Sequence, residues 1–182
     1  MDGILVFAIL SVLIIVISWR SLLVVKSHGF YRFLSWECIA WLFAQNYPYW
    51  FESPLSVWQI ISWVLLVLSV YPAIAGVILL KKKGKPKKER EDEALFQFEK
   101  TTELVDSGVF RYIRHPLYAS LILLTWGIFC KHPGWITLAI SVVSTACLYL
   151  TALYDEKECL SYFGNSYRSY IKRTKRFIPF LF

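Results

Sequence analysis

The chain is short of the residues that build metal centres and disulfide frameworks. It has four cysteines and three histidines in 182 residues. Cys38, Cys130, Cys147 and Cys159 form no Cys-x-x-Cys pair, and no histidine stands at metal-ligand spacing from them. That pattern excludes a zinc signature and a disulfide scaffold, so the cysteines read as buried or lipid-facing thiols and no metal is expected. The opening "MDGILVFAILSVLIIVIS" lacks a basic n-region and a small-residue cleavage site, so it reads as a retained span and not a signal peptide. No internal repeat is visible. Acidic residues are outnumbered, 13 against 20 lysines and arginines.

What is abundant is apolar. Hydrophobic residues make up 57% and aromatic residues 18%, with a mean hydropathy of +0.48. Soluble domains hold about 45–50% apolar residues. Here they are gathered in long runs, so the solvent for this chain is lipid. The net charge of +7 is concentrated in "KKKGKPKKER" (81–90) and "RSYIKRTKR" (168–176). Beside apolar spans, such blocks mark the cytoplasmic side and its anionic lipid, not a nucleic-acid partner.

Residues 4–25 read as a first transmembrane helix that ends in "KSHGFYR", with Gly29 as its stop. Residues 33–50 form a weaker second span that contains Glu37 and gathers aromatics at its far end. Residues 55–80 form a third, with a kink expected near Pro72 and Gly76 and three lysines to stop it. The runs 116–130 and 133–154 are joined by "KHPG", a loop so short that they must be antiparallel neighbours. The first of the two is short for a span. His28 and His132 read as solvated loop residues.

The expected fold is therefore an all-α integral membrane protein of about five transmembrane helices. Placing Arg20–Arg32, Lys81–His115 and Lys157–Arg176 on one side puts the N-terminus outside and the C-terminus in the cytoplasm. Residues 1–80 hold the N-terminal spans, 81–103 a mobile basic linker, and 104–182 the region that carries chemistry.

Two groups converge on the cytoplasmic face. In "RYIRHPLY", Arg114 and His115 precede Pro116, which is well placed in the first turn of a helix. The helix start offers free N–H groups and partial positive charge beside Arg111, Arg114 and His115, a place for a carboxylate or phosphate. The bland alternative is a basic start that snorkels to headgroups. In "YDEKECLSYFGNSYRSY", a continued helix would align Glu156, Leu160, Phe163, Tyr167 and Tyr170 on one face. A carboxylate on an apolar face at a membrane boundary is a functional candidate. Asp155 reads as a capping or salt-bridge acid. Cations at one helix end and carboxylates at its neighbour suit a zwitterion such as an amino acid headgroup.

These segments, "LVDSGVFRYIRHPLYAS" and "DEKECLSYFGNSYRSYIKRTKRFIP", resemble the isoprenylcysteine carboxyl methyltransferases and their prokaryotic relatives. The matching elements are Gly108–Phe110, Arg114–Tyr118, Asp155–Glu156, Phe163–Tyr170 and Arg176–Pro179, within residues 104–179. The resemblance implies a membrane enzyme that uses S-adenosylmethionine without a Rossmann domain, and the chain has no Gly-rich dinucleotide loop. It implies a cytoplasmic cofactor pocket formed by the last helical hairpin and the C-terminal helix. His115, Pro116 and Tyr118 would line the cofactor, with Arg114 close by. Glu156 would bind or orient it, and Leu104, Val105 and Tyr167–Tyr170 would close the pocket. Arg114 and Glu156 are the candidate catalytic residues. The active site would face the cytoplasm, at the plasma membrane in a prokaryote or the endoplasmic reticulum in a eukaryote. The bilayer is one partner and a lipophilic or prenylated acceptor the other.

One position departs from the family. An arginine that helps place the substrate carboxylate in eukaryotic members is absent, and Thr151 stands there. The acceptor is thus open among an isoprenylcysteine carboxylate, a phospholipid and a small thiol. Two rival readings are a nicotinamide-dependent reductase resembling the membrane sterol reductases, which share the Arg-His-Pro-x-Tyr element, and a basic membrane scaffold without catalysis.

Overall fold

The computed structural model describes residues 2–25, 27–85, 96 and 99–180. Most of the basic linker, residues 86–95, lies outside the described residues, and with it the expectation that it is mobile. Among the described residues six α-helices follow in order: α1 (Gly3–Leu22), α2 (His28–Asn46), α3 (Val57–Lys83), α4 (Pro116–Phe129), α5 (Trp135–Phe163) and α6 (Asn165–Arg173). Short 3₁₀ turns lie at Tyr47–Tyr49 and Gly108–Arg111. Among the described residues the chain forms no strand, only one isolated parallel bridge between Ile113 and Lys175.

Helices α1, α3 and α5 are long and apolar enough to cross a membrane. Their burial pattern is inverted relative to a soluble protein. Ile4, Val12 and Val16 of α1 and Val67, Tyr71 and Ile74 of α3 are exposed, while Ser18, Ser21, Gln59, Ser62 and Ser69 are buried. In lipid there is no hydrophobic drive to bury leucine and valine, so small and hydroxyl side chains take the helix interfaces. Ser62 Oγ donates to the Gly127 carbonyl at 2.7 Å, and Ser35 meets Ser144 at 2.9 Å. A Cβ on Gly127 would stand 2.9 Å from Leu66, and that absence of a side chain lets α3 and α4 close up.

Several boundaries differ from the sequence reading. The first helix stops at Leu22, and Gly29 lies buried in the first turn of α2 behind the Ser27 N-cap. The cap, whose Oγ accepts from the Phe30 N–H, starts a helix where the glycine suggested an end. The three lysines continue α3, as cations favour a helix C-terminus. The stop is Gly84, whose carbonyl accepts from the Thr102 and Glu103 N–H groups at 2.9 and 3.2 Å and so pins the returning chain. His28 is fully buried, not solvated: its Nδ1 lies 2.6 Å from Glu158 Oε2. His132 is exposed and stacks on Tyr49.

Helices α4 and α5 form the antiparallel hairpin that the short loop requires: Trp126 Nε1 donates to Thr145 Oγ1 at one level and Tyr118 reaches Asp155 at the other. At 14 residues α4 is about 21 Å long, less than the about 30 Å hydrocarbon layer. Its N-terminus begins inside the protein. At 29 residues α5 overshoots the layer, because its first twenty, to Tyr154, already measure about 30 Å. A layer entered at Trp135 therefore ends before Asp155. The far end is closed by Lys131, 4% exposed, whose Nζ donates to Gln59 Oε1 at 2.9 Å and sits 3.6 Å from the Trp63 ring.

Candidate active site

The site is assembled by the chain's last turn. Gly164 (φ +57°, ψ −126°) breaks the helix between Phe163 and Asn165. Glu156, Leu160, Phe163, Tyr167 and Tyr170 are therefore not one continuous helical face. The break folds α6 back, so that Tyr170 is buried and donates its hydroxyl to the Phe110 carbonyl at 2.6 Å. The following residues zip onto the strand-like approach to α4. The Arg114 N–H donates to the Lys175 carbonyl at 2.8 Å, the His115 N–H to the Arg176 carbonyl at 3.1 Å, and the Lys175 N–H to the Tyr112 carbonyl at 3.0 Å. Pro116 then opens α4 with His115 as its N-cap residue.

This brings Arg114, His115 and Arg176 around one carboxylate. Glu156 Oε1 accepts from Arg114 Nε at 2.9 Å and Arg176 Nε at 3.0 Å, and lies 3.2 Å from His115 Nε2. Its Oε2 accepts from Arg176 Nη2 at 2.9 Å. Arg114 also reaches the Thr174 carbonyl at the end of α6. Burial alone would push the Glu156 carboxyl up, but the His115 and Arg176 bonds outweigh it and hold the group well below the carboxylate range.

His115 spans both acids. Its Nδ1 lies 3.3 Å from Asp155 Oδ2, opposite the Nε2 contact with Glu156. With a carboxylate at each ring nitrogen the imidazolium donates twice, so its pKa is raised despite burial that would lower it. Asp155 also accepts from Tyr118 OH at 3.3 Å and from the Cys159 thiol at 3.6 Å. Burial would raise its pKa, but His115 prevails and brings it down to about 2.

Beside this network lies a cleft with about 700 Å³ of empty space, its mouth included. Leu104, Val105, Arg114, His115, Pro116, Tyr118 and Tyr167, all singled out in the sequence, line it. Glu156 does not. Its neighbour Asp155, read as a capping acid, is on the cleft wall instead. Arg111 is exposed at the end of its 3₁₀ turn. Tyr167 is 3% exposed, and burial pushes its phenol far up, so it stays neutral.

Sequence reasoning passed over several residues. Arg176 was legible only as part of a tail motif. Cys159 and Glu99 line the cleft, and Glu99 is held by Arg32 of α2. His28, Asp155 and Glu158 place one ligand-type atom each within 4.8 Å of one another, a spacing that could hold a metal ion. The imidazole–carboxylate bond at 2.6 Å accounts for the closeness of His28 and Glu158.

Residues 57–166, more than half of the chain, match the family described as phospholipid methyltransferase. A similar curated protein is methanethiol S-methyltransferase 1 of Bradyrhizobium diazoefficiens, 27% identical over 71 residues, which cover 39% of this chain and 24% of that protein. The alignment thus spans about a quarter of that relative's length. No solved structure matches the chain. The chain belongs to the phospholipid methyltransferase family, membrane methyltransferases related to the isoprenylcysteine carboxyl methyltransferase type that its motifs resemble.

Proposed function

We propose that the chain binds S-adenosylmethionine in the cleft at the α4–α5 end and transfers its methyl group to an acceptor whose nucleophile arrives already anionic. The chemistry of the cleft fits the cofactor on two counts. The start of α4 and the basic cluster suit a carboxylate, and Asp155 suits an ammonium. When bound, the cofactor supplies an electrophilic methyl carbon. Arg114, His115, Pro116, Tyr118 and Tyr167 line its site with Leu104 and Val105 as the opposite wall, and Glu156 positions Arg114 and His115 from behind.

The observation that carries the acceptor class is the double engagement of His115. An amine or hydroxyl acceptor needs a base within reach. His115 is flanked by a carboxylate at each nitrogen, Asp155 is brought to about 2, and Glu156 is tied to two arginines. None is poised to accept a proton near neutrality. A thiolate or carboxylate needs only alignment and exclusion of water.

We read the acceptor as lipid-like, an isoprenylcysteine carboxylate being one member of the class, because an apolar groove walled by α1–α4 leads toward the cleft. A small thiol is the second reading, favoured by the similarity to the methanethiol enzyme. Thr151 is fully buried and donates to the Cys147 carbonyl, so no arginine stands there to hold a carboxylate. We read five crossings with the site on the cytoplasmic face, a sidedness that the basic residues at that end of the bundle support. The test is transfer of radiolabelled methyl from S-adenosylmethionine by purified protein to a prenylcysteine, a small thiol and phosphatidylethanolamine. Transfer to the thiol or the prenylcysteine and not the amine supports the reading. Preferred transfer to the amine overturns it.

A further inference from the structure

Three voids lie in series from the lipid-facing side to the cleft. The outermost is the groove, almost wholly apolar, with about 1190 Å³ of empty space counting its open mouth. It shares Trp36 and Leu121 with a middle void of about 550 Å³. The middle void shares Glu99, Leu117 and Tyr118 with the cleft. In this middle void the charged lining residues are Arg32 and Glu99. Arg32 Nη1 donates to both Glu99 oxygens at 2.8 Å, with side chains only 4% and 12% exposed. Phe96 packs 4.2 Å from the guanidinium and stacks on Trp36.

We propose that this pair is the headgroup filter for an anionic amphiphile: Arg32 exchanges Glu99 for the carboxylate or thiolate of an acceptor whose tail lies in the apolar groove. Three physical points favour the assignment. A buried ion pair is weak evidence for stability, because desolvation offsets the Coulomb gain, so apolar residues would hold α2 to the returning chain as well. The exchange keeps the buried guanidinium paired and turns the Glu99 carboxylate, which also accepts from the Phe96 N–H at 2.9 Å, toward the cleft that it also lines, whereas a cationic head would pair with Glu99 and leave the guanidinium unmatched. Finally, Glu99 belongs to both the middle void and the cleft wall, so its displacement opens the one toward the other. The inference deepens the proposed function, since it names what selects the acceptor before methyl transfer.

The test is a binding measurement that needs neither cofactor nor turnover. Quenching of tryptophan fluorescence, to which Trp36 contributes, reads the binding of a C16 carboxylate and of the C16 alcohol to full-length protein in detergent. Wild type should bind the acid about tenfold or more tighter than the alcohol, as a charge-assisted hydrogen bond implies. Glu99→Gln, which removes the resting anion, should tighten the acid alone. The double change Arg32→Met with Glu99→Leu leaves no unpaired charge, and should bind both equally while keeping its melting temperature. Equal binding by wild type, or an undiminished preference for the acid in the folded double variant, overturns the filter. Neither result bears on methyl transfer, and a wild type that transfers no methyl group leaves this measurement intact.

Discussion

Arg176 and Glu156 form a two-point ion pair, Nε to Oε1 at 3.0 Å and Nη2 to Oε2 at 2.9 Å, which ties the chain's tail to α5. Arg176 lies on the segment bridged to Ile113. The pair therefore fixes the residues just before α4, where the cleft begins. Glu156→Ala removes the shared partner of Arg114, Arg176 and His115 and leaves buried cations. Breaking such a group costs about 3–5 kcal/mol. The variant should melt many degrees lower in detergent, and Glu156→Gln by less. A melting temperature within a degree of wild type in Glu156→Ala would show that the carboxylate does not organise the tail.

The same network sets a pH dependence of stability. The folded pKa of His115 lies above 6.5, so its pairing contributes fully below 6.5 and is lost as pH rises through the folded value. Asp155 is brought from 3.8 to about 2, so its contribution is full above 3.8 and is lost as pH falls through about 2. Both are present between about pH 4 and 6.5. Thermal stability should peak in that mildly acidic window and decline on the alkaline side. His115→Asn should flatten the alkaline limb. A wild-type curve that climbs steadily from pH 6 to 9 would contradict the imidazolium assignment.

Much of this architecture is legible in the sequence. Run lengths expose α1, α3 and α5, and a four-residue loop can only make a hairpin of α4 and α5. Pro116 marks the first residue of α4 because its missing N–H costs nothing there. Other features are not local. Whether Asp155 or Glu156 faces the cleft depends on where the tail returns with Arg176, and the 100° between successive helical positions is invisible until α5 is packed. His28 reads as a loop residue because its partner, Glu158, is 130 residues away. Glu99 lies in a polar connection whose only cue is its length, and Arg32 reads as a polar flank of a helix end.

Gly164 is where sequence periodicity misleads. Its φ of +57° with ψ of −126° is a conformation open to glycine almost alone, and nothing lies within 4 Å of where a Cβ would be. Gly164→Ala should therefore act through the backbone, with a cost of about 1–3 kcal/mol. The added methyl favours a helix that runs straight on and pulls Tyr170 off Phe110. Protection of α6 amides from hydrogen exchange should fall, with α3 unchanged. Equal protection in α6 would mean that the return is held by the tail alone.

The two neighbouring acids should separate by measurement. Asp155 lines the cleft, while Glu156 points into the arginines behind it. Asp155→Asn keeps the volume and an oxygen for the Tyr118 hydroxyl but removes the charge that the ammonium of the proposed cofactor would meet. A hydrogen bond to a charged group contributes about 1.5–3 kcal/mol, so affinity for S-adenosylhomocysteine should fall roughly tenfold to a hundredfold by calorimetry. Melting temperature should move less than in Glu156→Gln, because Asp155 is held by one imidazolium and Glu156 by two guanidinium groups and that same ring. Cofactor affinity lost in Glu156→Gln but kept in Asp155→Asn would reverse the roles, and make Glu156 the acid that meets the ligand.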